Sequence, residues 1–204
     1  MPLSAIAINC SLKRSDGEDS STDAMIGLLV SELKKKGVTF AETIRIADHD
    51  VKPGVSSDEG EGDAWPDIRR RILEHDILIF GTPIWLGQPS SIAKRVTERM
   101  DAFLSETDEQ GRMPSYPKVA LVAVVGNEDG AHHVSAELYQ ALSDTGWTIP
   151  AEATCYWVGE AMGKTDFNQL PQIPDKVQET ASKAASNAAH LATLLKQAPY
   201  PGSG

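Results

Sequence analysis

What this sequence is short of narrows its chemistry before any motif is considered. Cysteine is scarce: Cys10 and Cys155 are the only two among 204 residues. Each lies in an apolar run that reads as a strand, which predicts two buried thiols in a reducing compartment and not a disulfide or a metal pair. Positive charge is also scarce, 19 Lys and Arg against 29 Asp and Glu, for a formal net charge of −10. The acidic residues are spread out, so nucleic acid and anionic membrane surfaces are not expected as partners. No apolar run approaches the about 20 residues of a membrane span, so no membrane insertion is expected. The start, Met1-Pro2-Leu3-Ser4-Ala5-Ile6, lacks the charged head and long apolar stretch of a signal peptide. We therefore expect a cytoplasmic location.

Several catalytic signatures are missing too. There is no Gly-x-Gly-x-x-Gly dinucleotide fingerprint, no Gly-x-Ser-x-Gly elbow and no paired-carboxylate motif. Gly159-Glu160-Ala161-Met162-Gly163-Lys164-Thr165 is one residue short of a Walker loop between its glycines. Asp166-Phe167-Asn168, Pro171 and Pro174 follow where a helix is required, so a nucleoside triphosphatase is rejected. His132 and His133 are adjacent, which points them about 100° apart on a helix, and no further ligand has matching spacing. No metal site is expected.

What is present is an alternation of short apolar runs and amphipathic stretches. The strands read as Ala5–Cys10, Val38–Ile46, Ile77–Phe80, Val119–Val125 and Thr154–Val158. Between and after them come helical patterns: Met25, Leu29 and Leu33; a helix opened by Trp65-Pro66; Ile92, Val96 and Met100; Val134, Leu138 and Leu142; and a last helix over about 175–196. Residues 47–64 read as an acidic surface loop, and 105–117 and 159–174 as extra connections that could shape a substrate site or a subunit contact. Strands alternating with helices imply a parallel sheet covered on both faces by right-handed crossovers. The expected strand order is 2-1-3-4-5, in one domain over residues 1–197 with a flexible tail over 198–204.

That order brings three loops to one crevice at the carboxyl ends of strands one, three and four. The first carries Ser11, Lys13, Ser20, Ser21 and Thr22 at the start of a helix. Hydroxyls and unpaired N–H groups there suit a phosphate, though the same residues also suit a plain helix cap. The second, Gly81-Thr82-Pro83-Ile84-Trp85-Leu86-Gly87, offers a flat ring an apolar wall and backbone donors; alternatively, Trp85 plugs the core. The third, Gly126-Asn127-Glu128-Asp129-Gly130, can approach a polar ring edge, or serve as a simple turn with an Asp cap.

Together these segments resemble the NAD(P)H-dependent FMN reductase branch of the flavodoxin-like proteins, over nearly the whole chain. Ser11-Leu12-Lys13 with Ser20-Ser21-Thr22 is similar to that family's Ser-x-Arg and Ser-Asn-Thr phosphate loop, and Gly81–Gly87 to its Gly-Thr-Pro-x-Tyr/Trp turn. The stretch from Gly126 to His133 is similar to the third loop of one subgroup. The resemblance implies a flavodoxin-like three-layer α/β sandwich around a five-stranded parallel sheet. It implies FMN as cofactor, NADPH or NADH as co-substrate, a small-molecule electron acceptor such as a quinone or flavin, and a homodimer or homotetramer. Ser11, Lys13, Ser20, Ser21 and Thr22 would hold the FMN phosphate. Thr82, Pro83, Ile84, Trp85, Leu86 and Gly87 would line the ring and ribityl chain, and Asn127, Glu128, Asp129 and Gly130 the pyrimidine side. Apart from the resemblance, the adjacent His132 and His133 near a helix start read either as polar surface groups or as donors of a proton to a quinone oxygen. The alternative is a flavodoxin-type electron carrier that binds FMN without turning over pyridine nucleotide; a protein that has lost flavin is a third reading. Departures from the family pattern are Cys10 for its Gly, Lys13 for its Arg, and the acidic Asp16, Glu18 and Asp19, which predict weaker FMN retention.

Overall fold

The computed structural model describes residues 2–17 and 19–202. Glu18, expected among the acidic residues of the first loop, lies outside the described residues, as do Met1, Ser203 and Gly204. The strands are β1 Ser4–Asn9, β2 Thr39–Arg45, β3 Ile77–Trp85, β4 Gln88–Pro89, β5 Val119–Gly126 and β6 Thr154–Val158. The helices are α1 Ser21–Lys35, α2 Trp65–Leu73, α3 Ser91–Met100, α4 Ala131–Asp144 and α5 Asp175–Gln197.

The main sheet runs β2-β1-β3-β5-β6 with every neighbouring pair parallel. This is the expected flavodoxin-like order, counting β5 and β6 as its fourth and fifth parallel strands. β3 and β5 read as unbroken apolar runs because both faces are covered. On one face Ala5, Ala7, Ile77, Ile79 and Leu121 meet Met25, Leu29 and Leu33 of α1 and the alanines of α5. On the other, Ile6, Ile8, Leu78, Phe80 and Val122 meet Ile68 and Ile72 of α2, Val96 and Met100 of α3, and Val134 and Leu138 of α4. The small side chains Ala181, Ala184, Ala185, Ala188 and Ala192 are buried in this core, so the stripe on α5 is used within its own fold.

Three features depart from the sequence expectation. First, β3 does not stop at Phe80 but continues to Trp85, with Thr82 and Pro83 paired to Val124 and Val125 of β5. The β1 ladder ends at Asn9–Gly81, so Pro83 has a strand neighbour on one side only, where a missing N–H is tolerated. Past Trp85 the chain reverses through Leu86 and Gly87 into β4, pairing Trp85 with Gln88 and Ile84 with Pro89.

Second, the loop over residues 47–64 is anchored from inside. Arg99 and Asp63 form a fully buried ion pair at 2.7 Å. Arg99 Nε donates to Ser56 O and Nη1 to Lys52 O, both at 3.0 Å. The Asp63 carboxylate accepts the N–H groups of Glu59, Trp65 and Lys52 at 2.9, 3.1 and 3.2 Å. Third, the expected tail folds back as far as Tyr200, whose ring meets Tyr116 edge-on at 5.7 Å and whose hydroxyl accepts from Thr148 Oγ1 at 3.1 Å. Among the described residues, no helix is long and apolar enough to cross a membrane.

Candidate functional site

The first loop leaves the sheet at Asn9, whose buried side chain fixes its start. Asn9 Oδ1 accepts the Ser11 N–H at 2.8 Å, and Nδ2 donates to Asp23 Oδ1 at 2.5 Å and to Ser20 Oγ at 3.3 Å. Ser20 caps α1 by accepting the Asp23 N–H at 3.4 Å, and Ser21 Oγ donates to Asn168 Oδ1 at 2.8 Å. Cys10, in the place of the family's Gly, is fully buried; burial pushes its thiol well above the ordinary range, which makes it inert. Its carbonyl accepts Ser90 Oγ at 2.5 Å, tying this loop to the cap of α3. Cys155 is also buried, with its thiol pushed up to about 12.

The second and third loops are bound to each other. Gly87 N–H donates to Glu128 Oε2 at 3.0 Å. Gly130 has φ 128°, and a Cβ there would lie 2.8 Å from Gly87 Cα, so glycine is required by both conformation and close approach. Asp129 Oδ1 accepts the Gly130 N–H at 2.7 Å. Asn127 Nδ2 donates to Asp166 Oδ1 at 2.9 Å and to Gly163 O at 3.3 Å, drawing the segment after β6 against the third loop.

These contacts enclose a cleft of about 570 Å³ at the carboxyl ends of β1, β3, β5 and β6. Of the expected residues, Ser11, Lys13, Ser20, Ser21, Thr22, Pro83, Ile84, Trp85, Leu86, Asn127 and Glu128 line it. The lining combines the hydroxyls of Ser11, Ser20, Ser21 and Thr22 and one lysine, Lys13, with the apolar side chains Ile84, Trp85, Trp157 and Phe167. At the mouth stand Leu86 and Met162, 91% and 92% exposed. Both hold left-handed backbone, φ 52° and 62°, which side-chain-bearing residues seldom adopt.

Thr82, Gly87, Asp129 and Gly130 do not border the cleft. Thr82 is fully buried and its Oγ1 accepts the Ser90 N–H at 3.1 Å, while the other three join the second loop to the third. His132 and His133 do not border it either. His132 Nε2 lies 3.1 Å from Tyr156 Oη, with the rings edge-on at 5.3 Å. His133 Nε2 lies 2.8 Å from Glu137 Oε1 and 2.9 Å from Gln88 Nε2, beside a different groove. Leu12, Val125, Gly126, Trp157, Met162, Gly163, Asp166 and Phe167 join the lining beyond the expected set. The one sequence signal for the last four was the extra length of the 159–174 connection; Trp157 read simply as a strand residue.

The chain is 31% identical over 218 residues to 8-demethyl-8-aminoriboflavin-5'-phosphate synthase of Streptomyces davaonensis, covering 98% of this chain and 81% of that protein. A crystal structure of RosB with bound intermediate OHC-RP (8-demethyl-8-formylriboflavin-5'-phosphate) superposes with a TM-score of 0.86 at 29% identity, covering 98% of this chain and 82% of that one. The chain is also 40% identical over 163 residues to a protein of Mycobacterium bovis named divalent metal cation transporter MntH; the match covers 78% of this chain but 24% of that protein. The model of the NADPH-dependent FMN reductase family matches residues 3–161, which include β1 to β6 and all three loops. By sequence and by fold, the chain belongs to the NADPH-dependent FMN reductase family.

Proposed function

We propose that this protein is an FMN-dependent oxidoreductase that takes hydride from NAD(P)H and reduces a small acceptor such as a quinone or free flavin. The observation that carries the reading is the make-up of one cleft, which joins hydroxyls and Lys13 beside the N-terminus of α1 to an apolar wall that includes Trp85 and Trp157. FMN asks for both kinds of lining, having a phosphate joined by a ribityl chain to a flat ring. Ser11, Lys13, Ser20, Ser21 and Thr22 would hold the phosphate, aided by the positive end of α1. Pro83, Ile84, Trp85 and Leu86 would line the ring, with Asn127 and Glu128 at its pyrimidine side. Thr82, Gly87, Asp129 and Gly130 serve the site by holding the loops that carry those residues.

FMN bound there supplies the hydride acceptance and delivery, so few catalytic side chains are required of the protein. The work of this chain is to orient the ring, to exclude water with Trp85 and the Leu86 and Met162 lips, and to place N–H donors where negative charge develops. No proton transfer is assigned to His132 or His133. We take residues 1–197 as one FMN-binding domain that assembles as a homodimer or homotetramer.

A second reading, in which flavin phosphate is the molecule transformed, draws on the length-wide likeness to 8-demethyl-8-aminoriboflavin-5'-phosphate synthase. Multiple turnovers with excess NADPH and a benzoquinone, followed by mass analysis of the flavin, separate the two. Acceptor reduction with the flavin mass unchanged is expected. A changed flavin mass would favour the second reading, and NAD(P)H left unconsumed would favour an electron carrier.

A further inference from the structure

The phosphate end of the cleft is shaped by a side chain that lies outside it. Arg45 closes β2, in register with Asn9 at the end of β1, and lines a groove along the β2 edge. Its side chain is 11% exposed and pairs through Nη2 with Asp23. Nη1 donates to the carbonyl oxygens of Lys13 and Arg14, each at 3.3 Å. Asp23 in turn accepts from Asn9, which holds the Ser11 N–H. Just beyond β2, Asp48 Oδ1 accepts the Ser15 N–H at 2.9 Å and lies 3.9 Å from Arg14 Nε. The loop over residues 11–15 is thus suspended from the ends of two strands and from the turn after β2.

We propose that Arg45 is the positioning residue by which this site selects a 5'-phosphorylated flavin over the unphosphorylated one, an inference that rests on the flavin reading above. A carbonyl oxygen facing a phosphate repels it, and Arg45 turns two of them toward its own guanidinium. The Asp23 carboxylate offsets the charge of Arg45, so its effect on the anion is exerted through loop geometry and not through a bare field. A planar fork meets two carbonyls and a carboxylate at fixed angles; the point charge of a lysine does not.

The test is a fluorescence titration of riboflavin 5'-phosphate and of riboflavin against the wild type and Arg45→Lys. The variant is expected to bind riboflavin 5'-phosphate about tenfold more weakly, the loss of one well-formed charged contact, and riboflavin within about twofold of wild type. Unchanged binding of riboflavin 5'-phosphate, or an equal loss for both flavins, would overturn the proposal while leaving the flavin reading intact. Wild type that binds neither flavin would overturn both. If Arg45→Lys does not fold, Arg45→Gln, which keeps a planar donor but loses the fork and the charge, takes its place: a loss confined to the phosphorylated flavin supports the proposal, and no loss or an equal loss for both flavins overturns it.

Discussion

Trp85 ends a strand whose apolar neighbours are buried, yet 53% of its own surface is exposed on the cleft wall. The alternative in which it plugs the core is met instead by Trp65, which is fully buried and lies under the Arg99 guanidinium at 5.9 Å. Exposure makes Trp85 separable from stability. Trp85→Ala is expected to weaken FMN binding about tenfold, the order of one aromatic stacking contact, with little change in Tm. Equal FMN affinity in the variant would remove Trp85 from the ring wall. The histidines call for the opposite result. Each is engaged on the outer surface of α4, His132 with Tyr156 and His133 with Glu137 and Gln88. His132→Asn and His133→Asn should leave quinone turnover within about twofold of wild type, well short of the loss that follows removal of a general acid; a hundredfold fall in either would restore it as a proton donor.

Between elements, the seam of α1 and β3 sets where the first turn of α1 and its hydroxyls sit. A Cβ on Gly81 would lie 2.6 Å from Ile26 Cδ1 and 2.8 Å from Thr22 Cγ2, so the first turn of α1 rests directly on the strand. Gly81→Ala must push that turn outward, at about 1–3 kcal/mol for an overpacked core, and FMN affinity should fall with Tm; unaltered values of both would show that the seam is not tight. The loop over residues 47–64 gives a pH prediction. Burial opposes ionisation of Asp63, but Arg99 and the backbone N–H groups outweigh it and hold the carboxyl well below the ordinary range. A depressed carboxyl stabilises the fold above its unfolded value of about 3.9, and that contribution is lost as pH falls below it. Arg99→Met should cost about 3–5 kcal/mol by stranding Asp63. Asp63→Asn should lower Tm at neutral pH and flatten its fall in acid; an acid limb as steep as wild type's would exclude this pair as its source. Neither seam nor anchor was legible in the sequence. Gly81 read as the first residue of the second loop, and Asp63 as one more solvated acid in an acidic run. Only the fold reveals that one faces a helix and the other a guanidinium from 36 residues later.

At the scale of the whole molecule, most of the architecture was legible. Apolar runs with two covered faces, helical stripes at 3.6-residue spacing and the alternation of the two are local patterns; together they imply a covered parallel sheet, and their number fits the strand order found. The site was legible where its residues sit on the loops that end strands, as Ser11, Trp85 and Asn127 do. It was not legible where the chain returns from a distance, as Met162, Asp166 and Phe167 do, because no periodicity encodes that return. The net charge of −10 belongs to this scale too: it concerns which partners approach, while the cleft itself is lined by Lys13 and the hydroxyls at the start of α1.

The central claim is that this cleft holds FMN and that NAD(P)H reduces it there. Its most direct measurement is the visible absorbance of the protein after loading with FMN and removal of the excess, recorded anaerobically before and after NADPH and then NADH. A retained flavin band that either nucleotide bleaches within seconds is the predicted result. A retained band that neither nucleotide bleaches would contradict the reductase and leave an electron carrier in its place.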